Sequence, residues 1–374
     1  MLGPRSIRLR VVWRRPAEEG IAALVAADDR LFTLTSVEEN DFAIALDTGS
    51  GRELWRVPLG ARPPAMQFGA ANTPATDGRL LFVLSPACRF LALTVESGKV
   101  AWSHELSAEY KTGPMASGCW ASPLITGNLI VLSINGESGP RVLAFDRTSG
   151  AFLWSSPGIA KSVRSSPALV EIAGTRQVVV HDVKDGRGGL YGLRLADGAL
   201  LWSARFAEAE SFSNDTPVLV QGSRLGIITW NDFRTVEVHA QNDGFAADLG
   251  WSTHDIRAEV QPGTLHAVAQ GGYLYGFGGE FLVCLDAATG KTVWKEKIYP
   301  GSLILVDGYL VVLSHSAGLL RLVEATPSGY REKARLEVFT PGSASDTPPS
   351  FAGKRIYLRN SDQIVALEAV REGQ

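Results

Sequence analysis

One phrase recurs along this chain of 374 residues, and each copy ends in a glycine followed four residues later by a tryptophan. The copies read FAIALDTGSGRELW, FLALTVESGKVAW, RVLAFDRTSGAFLW, LYGLRLADGALLW and FLVCLDAATGKTVW. Their glycine–tryptophan pairs are Gly51/Trp55, Gly98/Trp102, Gly150/Trp154, Gly198/Trp202 and Gly290/Trp294. Self-similarity at a fixed period is typical of repeat architectures, in which one supersecondary unit is copied and its copies pack on one another.

The spacing of the tryptophans gives the length of the repeat. Steps of 42 to 52 residues connect Trp13, Trp55, Trp102, Trp154, Trp202, Trp251 and Trp294, and a further step of 45 reaches Phe339. Repeats of about 40–50 residues that contain short strands are typical of β-propeller blades. Runs such as LLFVLS, QVVVHD and YLVVLS are rich in β-branched and aromatic residues, which predicts strands. The sequence therefore predicts an all-β, eight-bladed propeller.

Each unit divides into four antiparallel strands. The inner strand follows a small-residue and proline signal, as in NTPAT, ASPLI, SSPALV and DTPVLV. The second strand is apolar, the third holds an ALD-like triplet, and the fourth ends in tryptophan. We predict that the glycine supplies a left-handed turn and that the tryptophan packs blade against blade, with its indole N–H directed at a backbone carbonyl.

The two ends of the chain each hold an incomplete unit. Trp13 lies in RLRVVWRRP, which no strand precedes, whereas DTPPSFAGKRIYLRNSDQIVAL supplies three strands and then stops. We predict a single domain over residues 1–374, in which residues 8–15 form the outer strand of the last blade at 345–370 and close the ring. The blades are predicted to end near Trp55, Trp102, Trp154, Trp202, Trp251, Trp294 and Phe339.

Composition excludes several classes of function. A net charge of −3 and a pI near 6.1 provide no electrostatic footprint for nucleic acid. The basic cluster Arg5, Arg8, Arg10, Arg14 and Arg15 is interpreted as the solvated face of an edge strand. The apolar runs stop at strand length, and no apolar h-region follows MLGPRSIRLR, so we expect neither direct membrane insertion nor a signal peptide in the given sequence.

The cysteines are few and scattered. Cys88, Cys119 and Cys284 form no CxxC motif and fall in different predicted blades. We interpret them as three buried or half-buried thiols, without a disulfide framework.

The phrase A-x-D-x-x-T/S-G-x-x-x-W, repeated around a ring of eight, resembles the pyrroloquinoline-quinone-type propeller repeat. Quinoprotein alcohol dehydrogenases share this repeat with BamB, a scaffold lipoprotein of the outer-membrane assembly machinery. The resemblance covers about residues 8–370, and LYGFGGEFLVCLDAATGKTVW and KRIYLRNSDQIVAL are typical of the BamB-like group. Three departures stand out: Thr94 and Arg194 replace the aspartate of the triplet, the fifth unit stretches the gap between Gly244 and Trp251, and the seventh unit lacks its tryptophan.

The quinoprotein side of the resemblance implies a central pyrroloquinoline quinone with a Ca²⁺ ion. It also implies Glu, Asn and Asp ligands, an Asp base and, in many members, a disulfide between adjacent cysteines. Here no two cysteines are adjacent in sequence, and the chain is shorter than those enzymes. Asn214, Asp215, Glu259 and Asp346 could supply the ligands from loops that enter inner strands. We favour turn residues over ligands, because Asx and Ser/Thr side chains before a strand commonly form local turns.

No catalytic residue is assigned. HExxH, GxSxG and P-loop motifs are absent from the sequence. Trp120 and Trp230 fall outside the repeated position, so they are the tryptophans that would face a funnel or the surface, although core packing is the favoured interpretation for both.

Two hypotheses from different classes follow. The first is a non-catalytic scaffold without a cofactor, which binds one or more protein partners in a membrane-associated complex. The alternative is a quinone- and Ca²⁺-dependent alcohol or sugar dehydrogenase, or a degenerate relative that only binds the cofactor. The resemblance implies the periplasm or cell envelope, with the cytoplasm as the alternative. Function is expected where the copies differ, in the loops before the inner strands and in the fifth and seventh blades.

Overall fold

The computed structural model describes residues 7–62, 69–110, 119–134, 141–157, 165–184, 187–206, 215–242, 244–257, 267–343 and 347–371. Within these ranges the chain forms eight four-stranded antiparallel sheets and one short helix. The predicted all-β, eight-bladed propeller is confirmed.

The strands follow one another blade by blade. The chain begins with β1 (Ile7–Pro16). Blade 1 contains β2 (Val25–Ala27), β3 (Arg30–Val37), β4 (Asn40–Asp47) and β5 (Glu53–Ala61). Blade 2 contains β6 (Ala75–Thr76), β7 (Leu80–Leu84), β8 (Arg89–Thr94) and β9 (Val100–Glu105), and the helix α1 (Leu106–Tyr110) follows it. Blade 3 contains β10 (Leu124–Thr126), β11 (Leu129–Ile134), β12 (Arg141–Asp146) and β13 (Phe152–Ser155).

The second half of the ring repeats this order. Blade 4 contains β14 (Ala168–Ile172), β15 (Thr175–Lys184), β16 (Arg187–Arg194) and β17 (Leu200–Arg205). Blade 5 contains β18 (Val218–Gln221), β19 (Arg224–Ile228), β20 (Phe233–Gln241) and β21 (Gly244–Thr253). Blade 6 contains β22 (Val268–Gln270), β23 (Tyr273–Gly278), β24 (Phe281–Asp286) and β25 (Thr292–Lys297). Blade 7 contains β26 (Gly301–Val306), β27 (Tyr309–Ser314), β28 (Leu319–Glu324) and β29 (Glu332–Glu337).

Blade 8 is built from both ends of the chain. It contains β30 (Ser350–Ala352), β31 (Arg355–Arg359) and β32 (Gln363–Arg371), and β1 pairs antiparallel with β32 as the outer strand. The sequence-based closure is therefore confirmed. Two arginines on β1, interpreted from the sequence as part of a solvated strand face, also contact the neighbouring blades. Arg14 donates to the carbonyl of Val338 in blade 7 at 2.5 Å, and Arg15 donates to the carbonyl of Gly51 in blade 1 at 3.2 Å.

The strand directions define two faces of the ring. Because strands alternate in direction, the loops that enter inner strands lie on the same face as the turns between second and third strands; we call this the entrance face. The opposite face carries the turns with the repeated glycine. Apolar side chains fill the space between blades, as in the cluster of Phe82, Phe90 and Phe145 between blades 2 and 3. Among the described residues, no helix is long and apolar enough to cross a membrane.

The repeated tryptophan joins neighbouring blades, and its glycine partner comes from the next copy of the phrase. Gly150 has φ of +74°, and a Cβ added there would lie 2.6 Å from the ring of Trp102 in the preceding blade. The Trp102 indole N–H donates to the carbonyl of Arg147 at 3.3 Å. The same packing joins Trp13 to Gly51, Trp55 to Gly98, Trp154 to Gly198 and Trp251 to Gly290. Each glycine thus supplies both a left-handed turn and the space for a neighbouring indole.

Phe339 does not occupy the tryptophan position of blade 7, contrary to the spacing argument. Cys284 pairs with Trp294 in blade 6, and the equivalent pair in blade 7 is Leu322 with Ala334. Phe339 lies beyond the end of β29 and is buried in the cluster between blades 7 and 8. A fixed step of residues overshoots the position, because only residues 298–300 connect β25 to β26, whereas the connections into the inner strands of the other blades are longer.

Candidate functional site

The loops that enter the inner strands form a chain of backbone-to-hydroxyl hydrogen bonds on the entrance face. The amide of Ala23 donates to the hydroxyl of Thr73 at 3.2 Å, that of Thr73 to Ser122 at 3.0 Å, and that of Ser122 to Ser166 at 2.9 Å. Each acceptor directly precedes the proline that begins an inner strand. These hydroxyls connect consecutive blades from 1 to 4.

Of the four predicted funnel residues, the structure describes Asp215 alone; Asn214, Glu259 and Asp346 lie outside the described residues. Asp215 precedes β18 and is buried, at 4% exposure. Burial raises the pKa of its carboxyl well above the ordinary value, which favours the neutral acid. Within the described part of the chain, no group of three or more His, Cys, Asp or Glu side chains is arranged to hold a metal ion.

A disulfide joins two loops on the entrance face, and it corrects the interpretation of the cysteines. Cys88 lies in the turn between β7 and β8, Cys119 lies in the segment that leads to β10, and their Cα atoms are 5.3 Å apart. The amide of Cys119 donates to the carbonyl of Pro86 at 3.1 Å, and Asn72 donates to the carbonyl of Cys119 at 2.9 Å. The segment that enters blade 3 crosses back over blade 2 and brings Cys119 beside Cys88. The prediction of three separate thiols was therefore wrong for these two cysteines, although they belong to different units of the sequence.

The other two predictions about single side chains have different outcomes. Cys284 is a buried free thiol, as expected, and burial raises its pKa to about 11. Trp230, in the turn between β19 and β20, is 39% exposed and lies at the surface, whereas Trp120 is half-buried.

The outer strands carry a second candidate surface. In each blade, one residue of the outer strand lies two positions before the repeated tryptophan, or before its counterpart in blade 7. This residue is Val100 in blade 2, Phe152 in blade 3, Leu200 in blade 4 and Leu249 in blade 5, and their exposures are 45%, 48%, 45% and 54%. We call these four residues the apolar rim. Four consecutive blades thus expose an apolar side chain at one structural position.

The same position is different in the other blades. Glu53 in blade 1 forms an ion pair with Arg15 of blade 8 at 3.6 Å, and Thr292 in blade 6 donates to the carboxylate of Asp255. Glu332 in blade 7 accepts from the Tyr330 hydroxyl at 2.6 Å. The remaining residue at this position, Val11 of blade 8, is half-buried. Repetition of the fold therefore does not require exposed apolar groups at this position.

The seam between blades 4 and 5 lacks the tryptophan–glycine contact found at regular seams. Trp202 lies over Gly192 of its own blade, where an added Cβ would come within 2.0 Å of the indole nitrogen. Its N–H donates to Oε1 of Gln177 at 2.6 Å. In blade 5 the turn glycine is replaced by the long β20–β21 hairpin, and a Cβ added at Gly244 would meet nothing within 4 Å. β21 instead packs against β17.

Two cavities lie along this hairpin. One of about 550 Å³ adjoins its tip and is lined by Leu201, Gln241, Asn242, Gly244 and Phe245. The other, of about 240 Å³, adjoins the far end of β21 and includes Phe206, Arg234, Leu249 and His254. Arg234 forms an ion pair with Asp232 at 2.9 Å and lies over the Phe206 ring, 5.3 Å from its centroid. The stretched spacing of the fifth unit marked this region in the sequence, but the cavities depend on contacts with blade 4.

Comparisons with known proteins agree with this architecture. The family model described as outer membrane protein assembly factor BamB matches residues 39–244, more than half of the chain. The BamB of Xanthomonas campestris is 31% identical over 185 residues, which are 48% of this chain and 40% of that relative, so the match spans less than half of the relative's length. The quinoprotein alcohol dehydrogenase PedH of Pseudomonas putida is 29% identical over 161 residues, 40% of this chain and 26% of its own.

Solved structures extend the likeness to the whole ring. The crystal structure of BamB from Moraxella catarrhalis has a TM-score of 0.64 and 15% identity, and the match covers 96% of this chain and 97% of that one. At this identity the similarity concerns the fold alone. The family match, which rests on the sequence, carries the assignment. This chain belongs to the family of outer membrane protein assembly factor BamB.

Proposed function

We propose that this chain is a non-catalytic scaffold that binds a protein partner on the outer rim of blades 2 to 5, in a membrane-associated complex of the bacterial envelope. Family membership supports the class of function, since the relatives are named as assembly factors. The apolar rim supports the location of the binding surface. The ring supplies the rigid support, because each regular seam is held by a buried or half-buried indole that packs on a glycine.

The single observation that carries the proposal is the repetition of the exposed residue. Single exposed apolar side chains are normal on any protein surface, but chance scatter does not place them at one register position in consecutive blades. Val100, Phe152, Leu200 and Leu249 are 45–54% exposed at one register position in four neighbouring blades. The equivalent residues Glu53, Thr292 and Glu332 are polar and hydrogen-bonded or ion-paired. A folding requirement would act on all eight blades alike, so the difference favours binding.

The disulfide supports the envelope over the cytoplasm. Structural disulfides persist in oxidising compartments such as the periplasm and are rare in the reducing cytoplasm. The Cys88–Cys119 pair would therefore be oxidised in protein from the envelope. Thiol titration of unfolded, unreduced protein isolated from cells should find one thiol, that of Cys284, and three after reduction. Three thiols before reduction would argue for the cytoplasm.

Crosslinking mass spectrometry on native membranes tests the scaffold function. We expect crosslinks between an envelope protein and residues of blades 2 to 5, such as Lys99 beside Val100. Lys295 and Lys333, on blades 6 and 7, provide internal controls for random collision. Recovery of the chain only as a free monomer would contradict the proposal.

The match to a quinoprotein alcohol dehydrogenase motivates a second candidate, a propeller that binds pyrroloquinoline quinone with Ca²⁺. Asp215 is the one candidate ligand that the structure describes, and among the described residues no group of three or more His, Cys, Asp or Glu side chains is arranged to hold a metal ion. Titration with the quinone and Ca²⁺ distinguishes the two candidates. A Ca²⁺-dependent absorbance change would favour cofactor binding, and no binding at high micromolar quinone would remove this candidate.

A further inference from the structure

The outer strand of blade 5 has fewer charges for its length than the comparable long outer strands. It extends over 10 residues, GFAADLGWST, with Asp248 as its single charged residue. β1 is equally long but carries Arg8, Arg10, Arg14 and Arg15, and β5, of 9 residues, carries two charges and a proline. Natural sheets protect exposed edges with charged residues, proline or short strands. β21 has little such protection, although its outer edge is unpaired within the ring.

We propose that β21 receives an extended segment of the partner protein as a fifth strand of blade 5; this rests on the scaffold function proposed above. Residues Gly244–Leu249 pair with Gln241–Val236 without interruption, and the irregularity of the strand lies beyond Leu249. In an antiparallel ladder, every second residue directs both its N–H and its C=O away from the existing partner strand. Half of this six-residue stretch can therefore form new hydrogen bonds, which give affinity independent of the added sequence.

The two sides of β21 define the chemistry of the added strand. Phe245, Ala247 and Leu249 lie on the side that faces blade 4, since they pair with residues of β20 on that side, and the two cavities adjoin the ends of this row. Alternate side chains of the added strand would lie over them, which favours apolar residues. On the opposite side Asp248 is exposed, and its carboxylate is 3.4 Å from His239. A lysine or arginine directly opposite Asp248 would complement this charge.

Photo-crosslinking in living cells tests the inference with the full chain. A benzophenone amino acid replaces Leu249 in one variant and Val293 in the other. Val293 is 42% exposed on the outer strand of blade 6, next to the equivalent position Thr292, and serves as an exposed apolar control. We expect a discrete adduct with one envelope protein at position 249 and none at 293. Leu249→Lys should lower co-purification of that protein roughly tenfold, as for an interface hot spot, and Val293→Lys should not.

Hydrogen exchange on the purified complex then tests the backbone pairing itself. Strand addition predicts that the outward amides among Gly244–Leu249 exchange at least about tenfold more slowly in the complex than in the free chain, with β25 unchanged. An adduct at 249 without this slowing, or adducts only at 293, would overturn strand addition and leave the scaffold function standing. A chain that forms no adduct and runs as a free monomer would overturn both. Equal melting temperatures of Leu249→Lys and Val293→Lys show that the comparison is made on folded protein.

Discussion

The outer strands of blades 2 to 5 and those of blades 6 to 8 and 1 share one backbone plan and differ in surface chemistry. In the first group, the position two residues before the tryptophan holds Val100, Phe152, Leu200 and Leu249. In the second, it holds polar groups such as Glu53, which are hydrogen-bonded or ion-paired, and the half-buried Val11. Since blades with and without an apolar residue here keep the same four-stranded plan, the difference teaches that this position is free to vary and can serve recognition.

The same comparison applies to the way seams are held. At the seam between blades 8 and 1, Trp13 packs on Gly51 and donates to the carbonyl of Thr48 at 2.8 Å, while Arg359, fully buried, donates to the carbonyl of Leu34 at 2.6 Å. At the seam between blades 4 and 5 no such glycine contact exists, and a hairpin packs on the neighbouring strand instead. The four predictions below probe this contrast, starting from the largest expected effect.

Removal of residues 1–15 should have the largest effect. β1 pairs with β32 along its length, and Trp13 is 8% exposed in the seam with blade 1. The deletion uncovers β32 and breaks the ring closure, so we expect the melting temperature to fall by more than roughly 10 °C, or the protein not to fold. Calorimetry measures this. An unchanged melting temperature would show that the closure contributes nothing.

Loss of the disulfide between Cys88 and Cys119 should lower the stability of the folded protein. Cys88 and Cys119 are 31 residues apart in sequence, and a link that closes such a loop is worth about 3–4 kcal/mol through the unfolded state. Replacement of both residues by serine should lower the free energy of unfolding by that amount in urea titrations. Cys284→Ser is a control that leaves the disulfide in place. Equal stability of the double variant and the wild type would contradict a structural role for the link.

Gly150→Ala tests the docking of a tryptophan on the next blade. The new Cβ would lie 2.6 Å from the Trp102 ring, at a φ of +74° that L-residues rarely adopt. We expect a loss of about 2–4 kcal/mol from overpacking and backbone strain together. Gly244→Ala is the matched variant in the irregular blade, where no atom lies within 4 Å of the added Cβ, and it should change stability by less than about 0.5 kcal/mol. Similar losses in both variants would refute the contrast between the seams.

The smallest expected effect is the pH dependence of the stability that the Glu53 carboxylate provides. Hydrogen bonds and charge interactions with Arg56 lower the pKa of Glu53 below its ordinary value of 4.5. A carboxyl whose pKa is lowered on folding adds stability above its ordinary value, and this contribution disappears as the pH falls through the folded-state value. Glu53→Gln should therefore melt slightly below the wild type at pH 6, and the difference should be smaller at pH 3. Glu96→Gln, on an exposed turn of blade 2, is the control. A melting difference for Glu53→Gln that is the same at both pH values would contradict the ion-pair explanation.

Much of the fold could be predicted from the sequence because a propeller repeats its constraints. The turn between the third and fourth strands needs a left-handed residue and room for an indole, so glycine recurs there at a fixed distance before the tryptophan of the fourth strand. The last unit lacks a fourth strand, so the N-terminal strand is required to complete the ring. The tryptophan-equivalent position of blade 7 could not be inferred in this way, since a constant step fails where the connection between β25 and β26 shortens to residues 298–300. Of the predicted funnel residues, Asp215 is placed by the structure, and burial gives its carboxyl a preference for the neutral form.

By itself, the sequence determined the architecture, the direction of each strand and the irregularity of blade 5, because these follow from local periodicity and turn chemistry. The tertiary structure decided three features that combine distant residues. The crossing of a loop over blade 2 brings Cys88 to Cys119, the glycine that receives the tryptophan at five seams belongs to the next blade, and the exposure of the apolar rim depends on what surrounds each side chain. The first two depend on contacts between blades and the third on the burial of each side chain, and the local sequence pattern specifies neither.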